Sequence, residues 1–144
     1  MSTVVQGILL AVIGVLLFGL IIFIHEFGHF FTAKLSHVCV NEFSIGMGPK
    51  LFSFTRGETQ YSLRLLPIGG YCAMEGEDEK SDDPRAFGNR PVWQRMIVVA
   101  AGGIMNILLA VLLMMVICGQ EDRYATMRIA GFAENSAFEA AGVE

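Results

Sequence analysis

The sequence His-Glu-Phe-Gly-His occupies residues 25–29 and ends a long apolar run that begins at Val4. Residues four apart on an α-helix lie on the same face, so His25 and His29 can present two imidazole nitrogens to one tetrahedral zinc ion. Glu26 is rotated from His25 by about 100° on a helix of ~3.6 residues per turn. It therefore flanks the metal without binding it and can take a proton from an attacking water molecule.

The setting of this motif strengthens the zinc interpretation. The preceding residues are apolar on every helix face, and a charged side chain at bilayer depth costs roughly 2.5 to 3.5 kcal/mol. The alternative is a chance match, in which the two histidines merely pack or reach toward the interface. Two histidines and a glutamate within five residues need a compensating partner, which a divalent cation supplies. The sequence therefore predicts a Zn²⁺ site within a membrane.

Composition points the same way. Of the 144 residues, 53% are hydrophobic, and the mean hydropathy of +0.54 is high for a soluble domain of this length. The net charge of -4 and the absence of a long basic run argue against a nucleic-acid partner. The three cysteines, Cys39, Cys72 and Cys118, are isolated and odd in number, which predicts small buried side chains and no disulfide framework.

Two membrane helices are predicted. The first runs from about Val4 to about Leu35, and its apolar part, Val4 to Ile24, in which Gln6 is the one polar side chain, spans roughly the ~30 Å of a hydrocarbon core. A signal peptide is the alternative, but no Lys or Arg precedes the run, and the run exceeds a typical signal core. The second helix is expected from about Trp93 to Cys118.

Between the helices, from Val38 to Met74, apolar and polar residues alternate in short runs, which predicts β-strands. A turn at residues 56–59 predicts a hairpin, and two glycine-proline stretches, at 46–49 and 67–70, are expected to interrupt the strands. This unusually apolar β-element could dip into the membrane, where its edge could pair with an extended peptide. It could equally rest on the membrane surface. Residues 75–90 are acidic and turn-rich, which indicates a solvated loop.

Basic residues predict the orientation. No Lys or Arg precedes the first helix, whereas eight lie from Lys34 to Arg95. The positive-inside rule therefore places residues 37–92 in the cytosol, with the N-terminus and the C-terminal tail outside.

Asn106 is the only polar side chain between Met96 and Cys118. It could bond across the helix interface, or it could hold a substrate backbone near the zinc. Because Gly102 and Gly103 lack side chains, they are expected to narrow that face of the second helix, so that the first helix can pack closely against it. Beyond Gln120, a short strand over 127–132 and a helix from about Asn135 are predicted.

The whole pattern resembles the site-2 protease family, intramembrane zinc metalloproteases whose bacterial regulators carry PDZ domains. The likeness rests on the motif at 25–29, Phe-Ser-Ile-Gly-Met-Gly-Pro-Lys at 43–50, Leu-Pro-Ile-Gly-Gly-Tyr at 66–71, Ala-Ala-Gly-Gly-Ile-Met-Asn at 100–106, and a tail at 133–143 that looks like the start of a PDZ domain.

This resemblance implies roles for individual residues. His25 and His29 would bind zinc, and Glu26 would be the general base. Gly46 and Gly48 would lie on a membrane-reentrant β-element near the substrate strand, and Asn106 would help to position substrate. Substrates in the family are single-pass membrane proteins already trimmed outside the membrane, such as anti-sigma factors or remnant signal peptides. The implied location is the bacterial inner membrane, in contact with lipid.

Two departures from the family pattern shape the expectation. The family often has proline where Gly103 stands, and its third zinc ligand, an aspartate in a Leu-Asp-Gly pattern, does not occur in this sequence. We therefore expect an N-terminal fragment that is inactive alone. Other interpretations are a non-catalytic membrane scaffold that keeps the fold, and a metal-transport segment, which would not require Glu26.

The expected organisation has five segments. These are the first transmembrane helix (1–36), the membrane-associated β-element (37–75), an acidic cytosolic loop (76–92), the second transmembrane helix (93–119) and a truncated PDZ-like start (120–144).

Overall fold

The computed structural model describes residues 3–120. Helix α1 (Thr3–Leu35) is followed by strands β1 (Val40–Arg56) and β2 (Thr59–Met74), a single 3₁₀ turn (Phe87–Asn89) and helix α2 (Val92–Gln120). The predicted fold class is thereby confirmed for its two long helices and the small sheet between them. The predicted PDZ-like start and the tail strand and helix lie beyond Gln120, outside the described residues. The five-segment division stays a prediction.

Both helices are long and apolar enough to cross a membrane. A core helix of a soluble protein would bury such a surface within the protein, yet none of the most apolar 18-residue window of α1 is buried, and only 17% of that of α2. Bulky side chains from Val4 to Ile21 are exposed around the whole circumference of α1. An aqueous solvent would not tolerate this surface, whereas lipid would.

The expectation that the glycine-proline stretches interrupt the strands is wrong. Both strands continue through residues 46–49 and 67–70, because glycines with positive φ let the backbone bend without ending the pairing: φ is 83° at Gly46, 84° at Gly48 and 90° at Gly69. The connecting turn is the two residues Gly57 and Glu58, with Gly57 at φ 66°.

Because the strands bend, residues 42–45 have partners on two sides. They face residues 60–63 on one side and residues 70–73 on the other, while residues 50–56 pair with residues 59–64 as the hairpin. Four strand segments thus lie side by side in the order 50–56, 59–64, 42–45, 70–73. The segment 70–73 forms one edge of this sheet.

The sheet packs along α1 over about two helical turns. A Cβ atom added to Gly19 would lie 2.6 Å from the carbonyl oxygen of Pro67, and one added to Gly70 would lie 3.4 Å from Cγ of Glu26. Pro67, in the bend of β2, therefore lies beside the apolar part of α1, and the edge segment lies beside the histidine motif.

A small core forms where the C-terminal end of α1, the sheet and α2 meet. Its buried members are Ala33, Val38, Val40, Phe43, Cys72, Met74 and Val98, with aromatic rings of α1 and β2 packed against them. Cys39 and Cys72 are buried free thiols, as predicted, whereas Cys118 is exposed. This core fixes the sheet edge and α2 against the same end of α1.

One polar network crosses the apolar sheet. The Glu42 carboxylate accepts hydrogen bonds from Ser62 (2.5 Å) and Arg64 (3.1 Å) and forms an ion pair with Lys50 (3.1 Å). Arg64 also donates to the carbonyl oxygen of Gly48 at 2.7 Å, which ties the bend of β1 to β2. Burial opposes ionisation of Glu42, but these hydrogen bonds outweigh it and lower its pKa to about 2.

We expect this network to make the stability of the sheet depend on acid pH. A carboxyl whose pKa is lower in the folded state stabilises the fold above its unfolded pKa of 4.5, and this contribution is lost as the pH falls toward 2. The upper bound of this contribution to the free energy of unfolding is about 3 kcal/mol. Thermal unfolding in detergent between pH 6 and 2.5 should show a steeper acid loss for the unmodified protein than for Glu42→Gln. Identical pH profiles would contradict the assignment.

Candidate active site

Helix α1 brings His25 and His29 together as their spacing predicts. The two Nε2 atoms lie 3.2 Å apart, and the ring centroids lie 4.8 Å apart with the rings nearly perpendicular. Two nitrogen ligands on one tetrahedral zinc ion, each at 2.0–2.1 Å, are separated by about 3.3 Å. The observed separation therefore fits a shared metal ion.

Helix α2 packs so closely against the motif that only glycines fit at two points. A Cβ on Gly28 would lie 2.6 Å from the carbonyl oxygen of Ala101, and a Cβ on Gly102 would lie 2.7 Å from Nε2 of His25 and closer still to Nε2 of His29. Gly102 thus borders the space into which both imidazoles point. The expected role of Gly103 is wrong, because within the described part of the chain nothing beyond its own stretch of helix lies within 4 Å of its Cβ position. One residue further along a helix is a turn of about 100°, which points Gly103 away from α1.

The outer nitrogens of both rings contact α2. Nδ1 of His29 lies 2.8 Å from the carbonyl oxygen of Val98, an acceptor, so that Nδ1 carries the proton and Nε2 keeps its lone pair. Nδ1 of His25 lies 3.2 Å from the side-chain nitrogen of Asn106. Such outer hydrogen bonds fix ring orientation and tautomer in metal sites.

The side chain of Glu26 lies beside the sheet edge. Its Cγ is 3.4 Å from the Cβ position that a side chain would have at Gly70, in the edge segment 70–73. A cavity of about 430 Å³ opens beside it, and His29, Tyr71, Glu77 and Val98 are among the lining residues. The general-base candidate, one ligand candidate and a sheet edge therefore share one cavity.

Within residues 3–120, no group of three or more His, Cys, Asp or Glu side chains could hold a metal ion. The site described here thus comprises two converging imidazoles and a carboxylate beside them. Their geometry suits half of a tetrahedral zinc site.

The other predicted site residues, Gly46, Gly48 and Asn106, lie outside the histidine motif. Gly46 and Gly48 lie in the bend of β1, where a Cβ on Gly46 would lie 2.5 Å from the carbonyl oxygen of Leu66. Asn106 lies against His25, so a bond across the helix interface, one of the two alternatives, is present. Its substrate-binding role stays a prediction.

Two contributors were missed by reasoning from the sequence: Gly70 and the carbonyl oxygen of Val98. The oxygen of Val98 acts through the backbone, which carries no residue signature. Only the pair of adjacent glycines at 69–70 could have indicated a close approach at that point.

Comparison with known proteins decides the family. The sequence profile described as Peptidase family M50 matches residues 13–141, which is most of the chain. The chain belongs to peptidase family M50. The resemblance to site-2 proteases is thereby confirmed, and together with the two apolar helices it makes the chain part of an integral membrane protein.

Individual relatives in the family are similar over nearly the whole chain. A protein of Clostridium acetobutylicum is 48% identical over 133 residues, covering 92% of this chain and 39% of the relative; a protein of Fusobacterium nucleatum is 45% identical over 130 residues, covering 88% and 38%. Both names contain the words zinc metalloprotease. Zinc metalloprotease RasP of Oceanobacillus iheyensis is 53% identical over 64 residues, covering 44% and 15%. The chain spans about two fifths of the length of the first two relatives.

Proposed function

We propose that this chain supplies the general base and two zinc ligands of an intramembrane endopeptidase. The observation that carries the proposal is the convergence of the His25 and His29 Nε2 atoms, 3.2 Å apart, on a helix whose remaining surface suits lipid. The names of the relatives support zinc as the metal. A third ligand would come from a later membrane helix, and residues 1–144 alone would not cleave substrate.

When bound, zinc would polarise the scissile carbonyl and make the attacking water more acidic. Glu26 would accept the proton of this water, because its carboxylate flanks the metal position without binding to it. The protonated Glu26 would then transfer the proton to the leaving amine. Packing of the Glu26 side chain against Gly70 keeps the carboxylate beside the cavity for both transfers.

The sheet edge beside Glu26 gives substrate a way to bind. A transmembrane helix must unwind before its peptide bonds can be attacked, and an unwound segment needs hydrogen-bond partners in the membrane. Residues 70–73 offer backbone groups in the same cavity as Glu26, so an extended substrate segment can add to the sheet there. Gly46 and Gly48 would support this arrangement by bending β1, because Arg64 holds Gly48 to β2.

The depth of the sheet favours the reentrant alternative over a surface position. Pro67 contacts Gly19 in the apolar part of α1, and bulky apolar side chains of both strands, such as Phe52 and Leu66, are exposed. We therefore propose that the β-element enters the inner membrane from the cytosolic side, with both outer helix ends outside. The proposed substrates are single-pass membrane proteins trimmed outside the membrane, such as anti-sigma factors or remnant signal peptides.

Zinc loading tests the site directly. We expect the whole gene product that carries this chain, purified in detergent, to hold about one zinc ion per active site. His25→Asn or His29→Asn should lose most of this zinc, because each removes one of the converging nitrogens. The matched control is His37→Asn, because His37 is exposed and its φ of 56° suits asparagine. Full zinc content in both motif variants, measured by atomic absorption, would refute the proposed site.

A further inference from the structure

Asn106 makes an unusual contact with the metal-ligand candidate His25. Its side-chain nitrogen lies 3.2 Å from Nδ1 of His25, while its side-chain oxygen is buried without a hydrogen-bond partner among residues 3–120. Nitrogen and oxygen of an amide are nearly indistinguishable by shape, so their assignment follows from the hydrogen bonds that each arrangement permits. Two arrangements are consistent with the positions of these side chains.

In the first arrangement, the proton of His25 is on Nε2. Nε2–H donates to Nε2 of His29, and Nδ1 accepts from the Asn106 amide nitrogen. This arrangement leaves Oδ1 of Asn106 buried and unsatisfied, which is unfavourable in a low-dielectric interior. It also places a proton between the two nitrogens that would hold a metal.

In the second arrangement, the proton of His25 is on Nδ1 and the Asn106 amide is turned by 180°. Oδ1 then accepts from Nδ1–H, so that the buried oxygen gains its partner. The His29 tautomer is unchanged, because its Nδ1–H still donates to the carbonyl oxygen of Val98. Both Nε2 lone pairs now face the same space above Gly102. One change therefore gives the Asn106 oxygen a hydrogen-bond donor and prepares both histidines for a cation.

We propose that Asn106 is a positioning residue that holds His25 in its metal-binding tautomer by accepting a hydrogen bond from Nδ1–H through Oδ1. This inference rests on the proposed zinc site and assigns Asn106 to the ligand and not to substrate. Asn106 is four residues beyond Gly102, so that one face of α2 supplies both the space for the metal and the acceptor that orients its ligand.

The test compares zinc affinities of the whole gene product in detergent by competition with a chelator. Asn106→Leu removes the acceptor at similar volume, and we expect zinc binding to weaken about 10- to 100-fold. Asn106→Asp restores an acceptor oxygen, and its affinity should stay within about threefold of the unmodified protein. Ile107→Leu is the control for a change on the same helix, because Ile107 is exposed.

A second readout reports the tautomer itself. In protein with ¹⁵N-labelled histidine and no added metal, the ¹⁵N shifts of His25 should indicate mainly the Nδ1–H form in the unmodified protein and in Asn106→Asp. They should indicate mainly the Nε2–H form in Asn106→Leu. Far-UV circular dichroism verifies that each variant folds, and should Asn106→Leu not fold, the shifts of the other two proteins decide.

Equal zinc affinity in Asn106→Leu, or a His25 that is mainly Nε2–H in the unmodified protein, would overturn the inference. A raised KM at unchanged zinc affinity would return Asn106 to the substrate role. Failure of the proposed function has a different result, because zinc binding would then be insensitive to His25→Asn and His29→Asn as well.

Discussion

Replacing Glu26 by glutamine is expected to reduce cleavage of a transmembrane substrate by about 10²- to 10⁴-fold, the range that a general base contributes. Glutamine keeps the size of the side chain and its packing against Gly70, but it cannot take up a proton. Zinc content and membrane insertion should therefore be unchanged. The measurement is the cleavage rate of a transmembrane substrate by the whole gene product in detergent, with zinc quantified in the same samples.

Glu79→Gln provides the matched control, since Glu79 is exposed in the acidic loop and loses the same charge. Its cleavage rate should equal that of the unmodified protein. Unchanged cleavage in Glu26→Gln would contradict the enzyme interpretation and favour the membrane scaffold. Loss of zinc together with cleavage would instead indicate that Glu26 is a ligand, against the geometry that points it to the sheet edge.

The histidine pair was predictable from the sequence because its geometry is local. A helix fixes the relation between residues four apart, so the spacing of His25 and His29 determined their convergence before any tertiary contact was known. The same holds for the two membrane helices, which depend on composition over about 20 residues. Family membership followed from short motifs that the chain carries in order.

The strands and the partners of the motif were less predictable. Glycines at 46, 48 and 69 suggested interruptions, but sequence does not distinguish a glycine that ends a strand from one that bends it. Val98 contributes a backbone oxygen from 69 residues beyond His29, so its side chain gave no sign of the role. The sequence also did not show which of Gly102 and Gly103 faces the histidines, because long-range packing fixes the rotation of α2 about its axis.

Helix α2 is rotated so that Gly102 faces the histidines, and we therefore expect Gly102→Ala to lose the metal site. The added methyl group would lie 2.7 Å from Nε2 of His25 and closer to Nε2 of His29, in the space where both lone pairs converge. Neither ring can retreat freely, because Val98 and Asn106 hold their outer nitrogens. We expect zinc affinity and cleavage to fall by at least about 100-fold, since ligand geometry in metal sites tolerates little displacement.

Gly103→Ala makes this test specific. Both substitutions replace glycine by alanine in adjacent positions of one helix, and each should favour helix formation by roughly 1 kcal/mol. Only Gly102 faces the histidines, whereas the Cβ position of Gly103 is open. Chelator competition and cleavage assays should therefore separate the two variants, with Gly103→Ala behaving as the unmodified protein. If both variants bound zinc normally, the close approach of α2 to the histidines would be wrong, and if both lost zinc, the effect would lie in α2 as a whole and not in the space above Gly102.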